Sequence, residues 1–267
     1  MIGLRAERVR YEKWRVDMET NSDINVLGGL PDYNLIRIYI GGETADKTSD
    51  EIQLQYTSIR TEKAFKRFIK SIDTSMNLFK SENLKNMIQQ QCIKDELNDT
   101  LLYMLFWNMS LNNELFAYMN ENIYFPVMYS GRTIITADEV TACLKELKQN
   151  EPSMKEWSDS TVSTTASKYL TLLKKIGLLE GAVKKKILHK NLSDKQFILF
   201  LYWLMEAEDT TNFGDSKWMQ YGFMERNSFI ERCLRHKYTK YININYNGDI
   251  LRIEPTMSYK EIVYECE

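Results

Sequence analysis

The chain is poor in the residues that mark catalytic, metal-binding or secreted proteins. Its 267 residues include two histidines, four prolines and eleven glycines. His189 and His236 sit in no recognisable catalytic signature, and no nucleophile–base pair emerges. The four cysteines, Cys92, Cys143, Cys233 and Cys266, are far apart and form no CxxC pair. That spacing argues against a zinc site and fits inert thiols in a reducing cytoplasm. Gly28-Gly29 and Gly41-Gly42 match neither GxxxxGK nor GxGxxG, so they read as turns, and no cofactor is expected. The N-terminus lacks the apolar core and cleavage site of a signal peptide. The longest apolar runs, Leu101 to Trp107 and Phe197 to Met205, fall well short of the ~20 residues that span a bilayer. No membrane insertion is expected, and the expected location is the cytoplasm.

An excess of positive charge is also missing. Thirty-five Lys and Arg face thirty-seven Asp and Glu, a net charge of -2 with a pI near 5.9. Any contact with nucleic acid must therefore be a local patch. The apolar fraction of 43% is ample for a core, and 27% charged with 12% aromatic residues argues against disorder.

With so few breakers and little alternation, helix should dominate. A helix is predicted from Asp32 to Ile40, a second after Ser49, and a third from about Thr61 to Met76 with the stripe Phe65, Phe68, Ile69, Ile72 and Met76. The middle reads as packed helices over Asn83 to Lys94, Thr100 to Met109 and Asn112 to Ile123. Two capping boxes follow, Thr136-x-x-Glu139 and Ser193-x-x-Gln196. Ser158 can cap a helix running to Ile176, after which Leu178 to Gly181 and Lys184 to Leu188 can pair as short strands. Helix, turn, helix, small hairpin is the order of a winged helix-turn-helix. The last segment repeats that order: a helix to about Ala207, another from about Ser228 to Tyr238, then a hairpin. Asn247-Gly248 favours a two-residue turn there, with Ile244 facing Leu251 and Ile242 facing Ile253. The expected fold is mainly α, a helical bundle with winged helix-turn-helix units and a C-terminal β-hairpin. The expected units are residues 1–80, 81–190 and 191–267.

Basic clusters are the one functional signal. Arg60, Lys63, Lys66, Arg67 and Lys70 oppose the apolar stripe of the third helix, five positives against Glu62. From Lys168 to Lys190 lie seven lysines against Glu180, with Lys168, Lys174 and Lys175 on a helix and Lys184, Lys185 and Lys186 where a wing would be. Lysines so placed neutralise phosphates, while a helix in a groove reads base edges. The alternative is that exposed helices simply carry lysine. Arg5, Arg8, Arg10, Lys13 and Arg15 form a further basic segment, diluted by Glu7 and Glu12. Glu206, Glu208 and Asp209 cluster near a helix end and read as a solvated face rather than an acid–base pair. Tyr202, Trp203, Trp218, Tyr221 and Phe223 read as core, with a protein-binding surface as the alternative.

Trp157-Ser158-Asp159-Ser160-Thr161, followed by a helix that exits through Gly177-Leu178-Leu179, resembles the BrxA family of the bacterial BREX phage-defence systems. Leu192-Ser193, Ser216-Lys217-Trp218, the hairpin with Gly248, Leu251-Arg252-Ile253 and Pro255, and Ser258 to Val263 extend the likeness. It is clear from about Asn112 to Val263 and looser from Leu27 to Lys80. The resemblance implies a mostly helical protein with winged-helix units and some likeness to the antiterminator NusB. It implies phage defence without catalysis, binding of double-stranded DNA, and partners among the other BREX proteins, such as the methyltransferase and the ATPase. One departure stands out. Many members carry Arg or Lys just after the Ser-Thr, where this chain has Val162, Thr164 and Thr165.

The expected function is thus a non-enzymatic DNA-binding adaptor, touching phosphates through Arg60, Lys63, Arg67, Lys70, Lys168, Lys175, Lys184, Lys185 and Lys186. A protein–protein scaffold and a NusB-like RNA-binding protein are the rivals.

Overall fold

The computed structural model describes residues 20–42, 59–209 and 211–266. The Arg5 to Arg15 segment and the helix expected after Ser49 lie outside them. Two short helices open the described chain, α1 (Asp23–Leu27) and α2 (Asn34–Ile40), followed by α3 (Glu62–Ser75), α4 (Glu82–Lys94) and α5 (Asp99–Asn112). Thr61, Ser81 and Asn98 start α3, α4 and α5, each side-chain oxygen accepting a hydrogen bond from the N–H three residues on. α5 is apolar all round, with Leu101, Phe106, Trp107 and Met109 buried on different sides. A helix of that kind has to be enclosed, and α3 and α4 pack against it.

The helix expected over Asn112 to Ile123 is interrupted. Asn113 leaves helical geometry, and its Oδ1 accepts from the Phe116 N–H at 2.9 Å, so a new helix, α6 (Glu114–Met119), starts there. A π-helical turn over Asn120–Tyr124 leads into α7 (Phe125–Tyr129). Next come β1 (Ile134–Ile135), α8 (Ala137–Asn150), α9 (Asp159–Lys175), β2 (Leu179–Glu180) and β3 (Lys185–Ile187). The Thr136–Glu139 capping box is formed, and Ser158 caps α9. β3 pairs antiparallel with β2 and also with β1, in the order β1-β3-β2. The third strand was not foreseen, because two residues are too few to show alternation.

The last stretch holds α10 (Asp194–Ala207), α11 (Arg226–Cys233), β4 (Ile242–Tyr246), β5 (Leu251–Pro255) and α12 (Ile262–Glu265). The Ser193–Gln196 capping box starts α10, which packs on α4 and α5. Two 3-10 segments, Phe213–Asp215 and Lys217–Gly222, separate α10 from α11, so no short turn joins these helices. The helix expected to reach Tyr238 ends at Cys233, and a 3-10 turn covers His236–Tyr238.

The hairpin register also differs from expectation. Ile244 pairs with Ile253 and Tyr246 with Leu251. Asn247 Oδ1 accepts from the N–H groups of Asp249 (3.1 Å) and Ile250 (2.8 Å), closing a loop of four residues rather than two. The shift is by two, so it preserves parity, and Leu251 and Ile253 remain on the buried face.

One apolar cluster runs from Ile24 to Cys266. At its centre Trp107 lies 5.2 Å from the Phe200 ring and 5.9 Å from that of Trp203, and its indole N–H donates to the Tyr221 carbonyl at 3.0 Å. Tyr202, Trp203, Trp218, Tyr221 and Phe223 are all buried in it. They are core, not an exposed protein-binding surface.

Candidate nucleic-acid interface

α3 is held on its inner side and open on its outer side. Phe65, Phe68, Ile72 and Met76 are buried. The Asp23 carboxylate on α1 accepts from Ser71 (2.8 Å), Ser75 (2.8 Å) and Thr74. At the C-terminal end, Asn108 and Asn112 of α5 donate to the carbonyls of Ser75, Met76 and Leu78, groups a helix end otherwise leaves bare. This fixing leaves Arg60, Lys63, Lys66, Arg67 and Lys70 exposed together. Lys66 is paired with Glu62 and holds that carboxyl below its ordinary range. Arg67 lies over the Phe68 ring, 5.6 Å from its centroid. Arg60, Lys63, Arg67 and Lys70 form no ion pair among the described residues.

α1 also packs on α9, so it lies between the two basic elements. A Cβ on Gly28 would meet the Lys168 carbonyl oxygen at 2.5 Å, so this crossing demands glycine. Lys175 Nζ reaches across it, donating to the carbonyls of Gly28 (3.2 Å) and Leu30 and lying 5.4 Å from the Tyr33 ring centroid. Burial, with help from the charge of Lys168, lowers the pKa of Lys175. Lys168 is half-buried beside Gly29. These two lysines turn toward α1 rather than away from the molecule. On the opposite flank α9 is anchored by Tyr169, whose hydroxyl donates to Asn120 Oδ1 at 2.9 Å in the π turn. Burial pushes that phenol far above its ordinary range, so it stays neutral. The open stripe of α9 is Ser160, Ser163, Thr164 and Ser167, with Thr171 half-exposed and Lys174 exposed at its end.

The β2–β3 loop carries the remaining lysines. Lys185 folds back, Nζ donating to the carbonyls of Gly181 (3.2 Å) and Ala182 (2.7 Å). Its pKa is lowered by partial burial and then by the charge of Lys174. Lys186 is exposed and pairs with Glu180 at 3.3 Å. Lys190 lies over the Tyr103 ring at 5.9 Å. Lys184 is exposed without an ion pair among the described residues. The apex of this loop is Val183, 93% exposed. The sequence signal for it is slight: Ala182 and Val183, two apolar residues between Gly181 and Lys184.

The carboxylate cluster has structural partners. Glu206 accepts from Asn83 (3.0 Å), Glu208 from Ser216 (2.7 Å), and Asp209 pairs with Lys80 (2.7 Å). Among the described residues no group of three or more His, Cys, Asp or Glu is arranged to hold a metal ion. Cys92, Cys233 and Cys266 are buried, and burial pushes the half-buried Cys143 thiol up to about 11. No helix among the described residues is long and apolar enough to cross a membrane.

Residues 46–201 match the family model for BrxA, more than half of the chain. The span takes in α3, α9 and the β2–β3 loop, and it stops before the Ser216-Lys217-Trp218 and hairpin segments. No curated protein matches, and no solved structure matches. BrxA membership sets a BREX-system context. By the match over residues 46–201 the chain belongs to the BrxA family.

Proposed function

We propose that this protein is a non-enzymatic, cytoplasmic adaptor of a BREX anti-phage system that binds double-stranded DNA, mainly through phosphates. The observation that carries the reading is α3, which presents Arg60, Lys63, Arg67 and Lys70 on one exposed side with no ion pair among the described residues. Such a row is an electrostatic footprint for a polyanion, even on a chain of net charge -2. The segment β1–α8–α9–β2–β3 acts in this reading as a winged helix-turn-helix, with α9 toward the groove and the β2–β3 loop as wing. Its open stripe of serines and threonines has few long side chains able to make bidentate base contacts, which favours backbone contact over sequence readout. Lys184 and Lys174 add charge there, and Lys168, Lys185 and Lys186 contribute less. Its partners in this reading are the other BREX proteins, such as the methyltransferase and the ATPase.

Mobility-shift titration with duplex DNA at several salt concentrations tests this reading. Affinity should fall steeply as salt rises. Absence of any duplex binding, with nuclease-resistant co-purification of BREX partners, would replace it with a pure scaffold. Preference for single-stranded RNA in direct competition would replace it with a NusB-like role.

A further inference from the structure

We propose that Val183 is a minor-groove wedge, which rests on the DNA-binding reading above and gives that site a base-pair preference. Val183 is 93% exposed, while the next most exposed large apolar side chain among the described residues, Leu78, reaches 55%. The loop that presents it is built rather than slack. Gly181 has a φ of +93°, and a Cβ there would come within 2.2 Å of the Lys184 carbonyl oxygen, so the turn closes tightly. Lys185 ties the Gly181 and Ala182 carbonyls from within. The result is a narrow apex of two small apolar residues, Ala182 and Val183, next to the exposed ammonium of Lys184.

That shape and chemistry fit the DNA minor groove. The groove is roughly 6 Å wide with phosphate walls, and aliphatic wedges between base steps are a recurrent way to use it. Ala182 and Val183 are slim enough to enter, and Lys184 can meet a wall. The floor of an A·T pair shows only acceptors, whereas a G·C pair adds the guanine N2 amino group. That amino group stands up from the floor. An isopropyl group pressed on it strips its water and offers no acceptor in return. The wedge therefore favours A·T pairs without any hydrogen-bonded base contact.

The test uses the full chain and three duplexes of equal length, with A·T, G·C or inosine·C pairs. Inosine·C keeps the G·C major-groove pattern but lacks the N2 amino group, so it isolates minor-groove reading. The wild-type chain should bind the A·T and inosine·C duplexes alike, each about tenfold tighter than G·C. Val183→Ser, at a position outside the core, should shrink that preference to within about twofold and leave the salt dependence of binding unchanged. Equal affinity for inosine·C and G·C, or a preference that survives in V183S, overturns the wedge while DNA binding stands. Binding to none of the three duplexes overturns the DNA-binding reading and the wedge with it.

Discussion

Arg60, Lys63, Arg67 and Lys70 on α3 are exposed and form no ion pair among the described residues, whereas most lysines of α9 and the β2–β3 loop are committed to the fold. Lys175 holds two backbone carbonyls of the α1 segment, Lys185 holds two of its own loop, and Lys186 faces Glu180. The two regions look alike as strings of positive letters. They differ because α3 buries a clean apolar stripe and turns everything else outward, while α9 is gripped on one flank by α1 and on another by the π turn. A lysine at a helix–helix crossing is a tie; a lysine on a free face is a charge available to a partner.

Charge reversal on α3 should break the comparison most visibly. The triple change Arg60→Glu, Lys63→Glu and Arg67→Glu should weaken duplex binding by about a hundredfold near physiological salt, measured by fluorescence anisotropy. Circular dichroism of that variant should match wild type, because all three side chains are exposed. Next comes the joint between the regions. Gly28→Ala puts a methyl against the backbone of α9, and overpacking of this kind costs about 2 kcal/mol in urea unfolding. A stability unchanged by that substitution would mean α1 does not pack closely on α9.

Within the second region the lysines should separate by their partners. Lys184→Glu should reduce DNA affinity about fivefold. Lys175→Met should leave affinity within about twofold and instead cost about 1 kcal/mol of stability, since two carbonyls lose a charged donor. Equal affinity losses for the two variants would erase the distinction drawn here. The smallest effect concerns Asp194, far from both patches in the chain. Hydrogen bonds from Lys237 and Tyr238 hold its pKa below the ordinary carboxylate value. A folded pKa below the unfolded one gives stability that is present above the unfolded value and lost as pH falls through the folded one. Asp194→Asn should flatten that acid limb of the stability profile, by less than about 1 kcal/mol given the exposure of the pair, and leave DNA binding untouched.

Much of the scaffold was legible because it is written in local chemistry. Both capping boxes, the Ser158 cap and the apolar stripe of α3 depend on residues three or four apart, and each appears where the spacing places it. The missed features depend on distant partners or very short elements. β1 is two residues long and is a strand only because β3 lies beside it. Asn113 begins a new helix within a run that reads as continuous, and the Asn247 side chain shifts the hairpin register. The candidate site was legible to the extent that its positions lie on one face of one helix. The fate of Lys168 and Lys175 depended on Gly28, some 140 residues earlier in the chain, which no periodicity reveals.

The most direct measurement is the slope of log affinity for duplex DNA against log salt, taken for the wild-type chain and for the R60E/K63E/R67E variant. A row of four exposed cations predicts a steep wild-type slope that falls by about 2–3 when three are reversed, since each phosphate contact contributes roughly 0.9. Identical slopes for the two chains would contradict it.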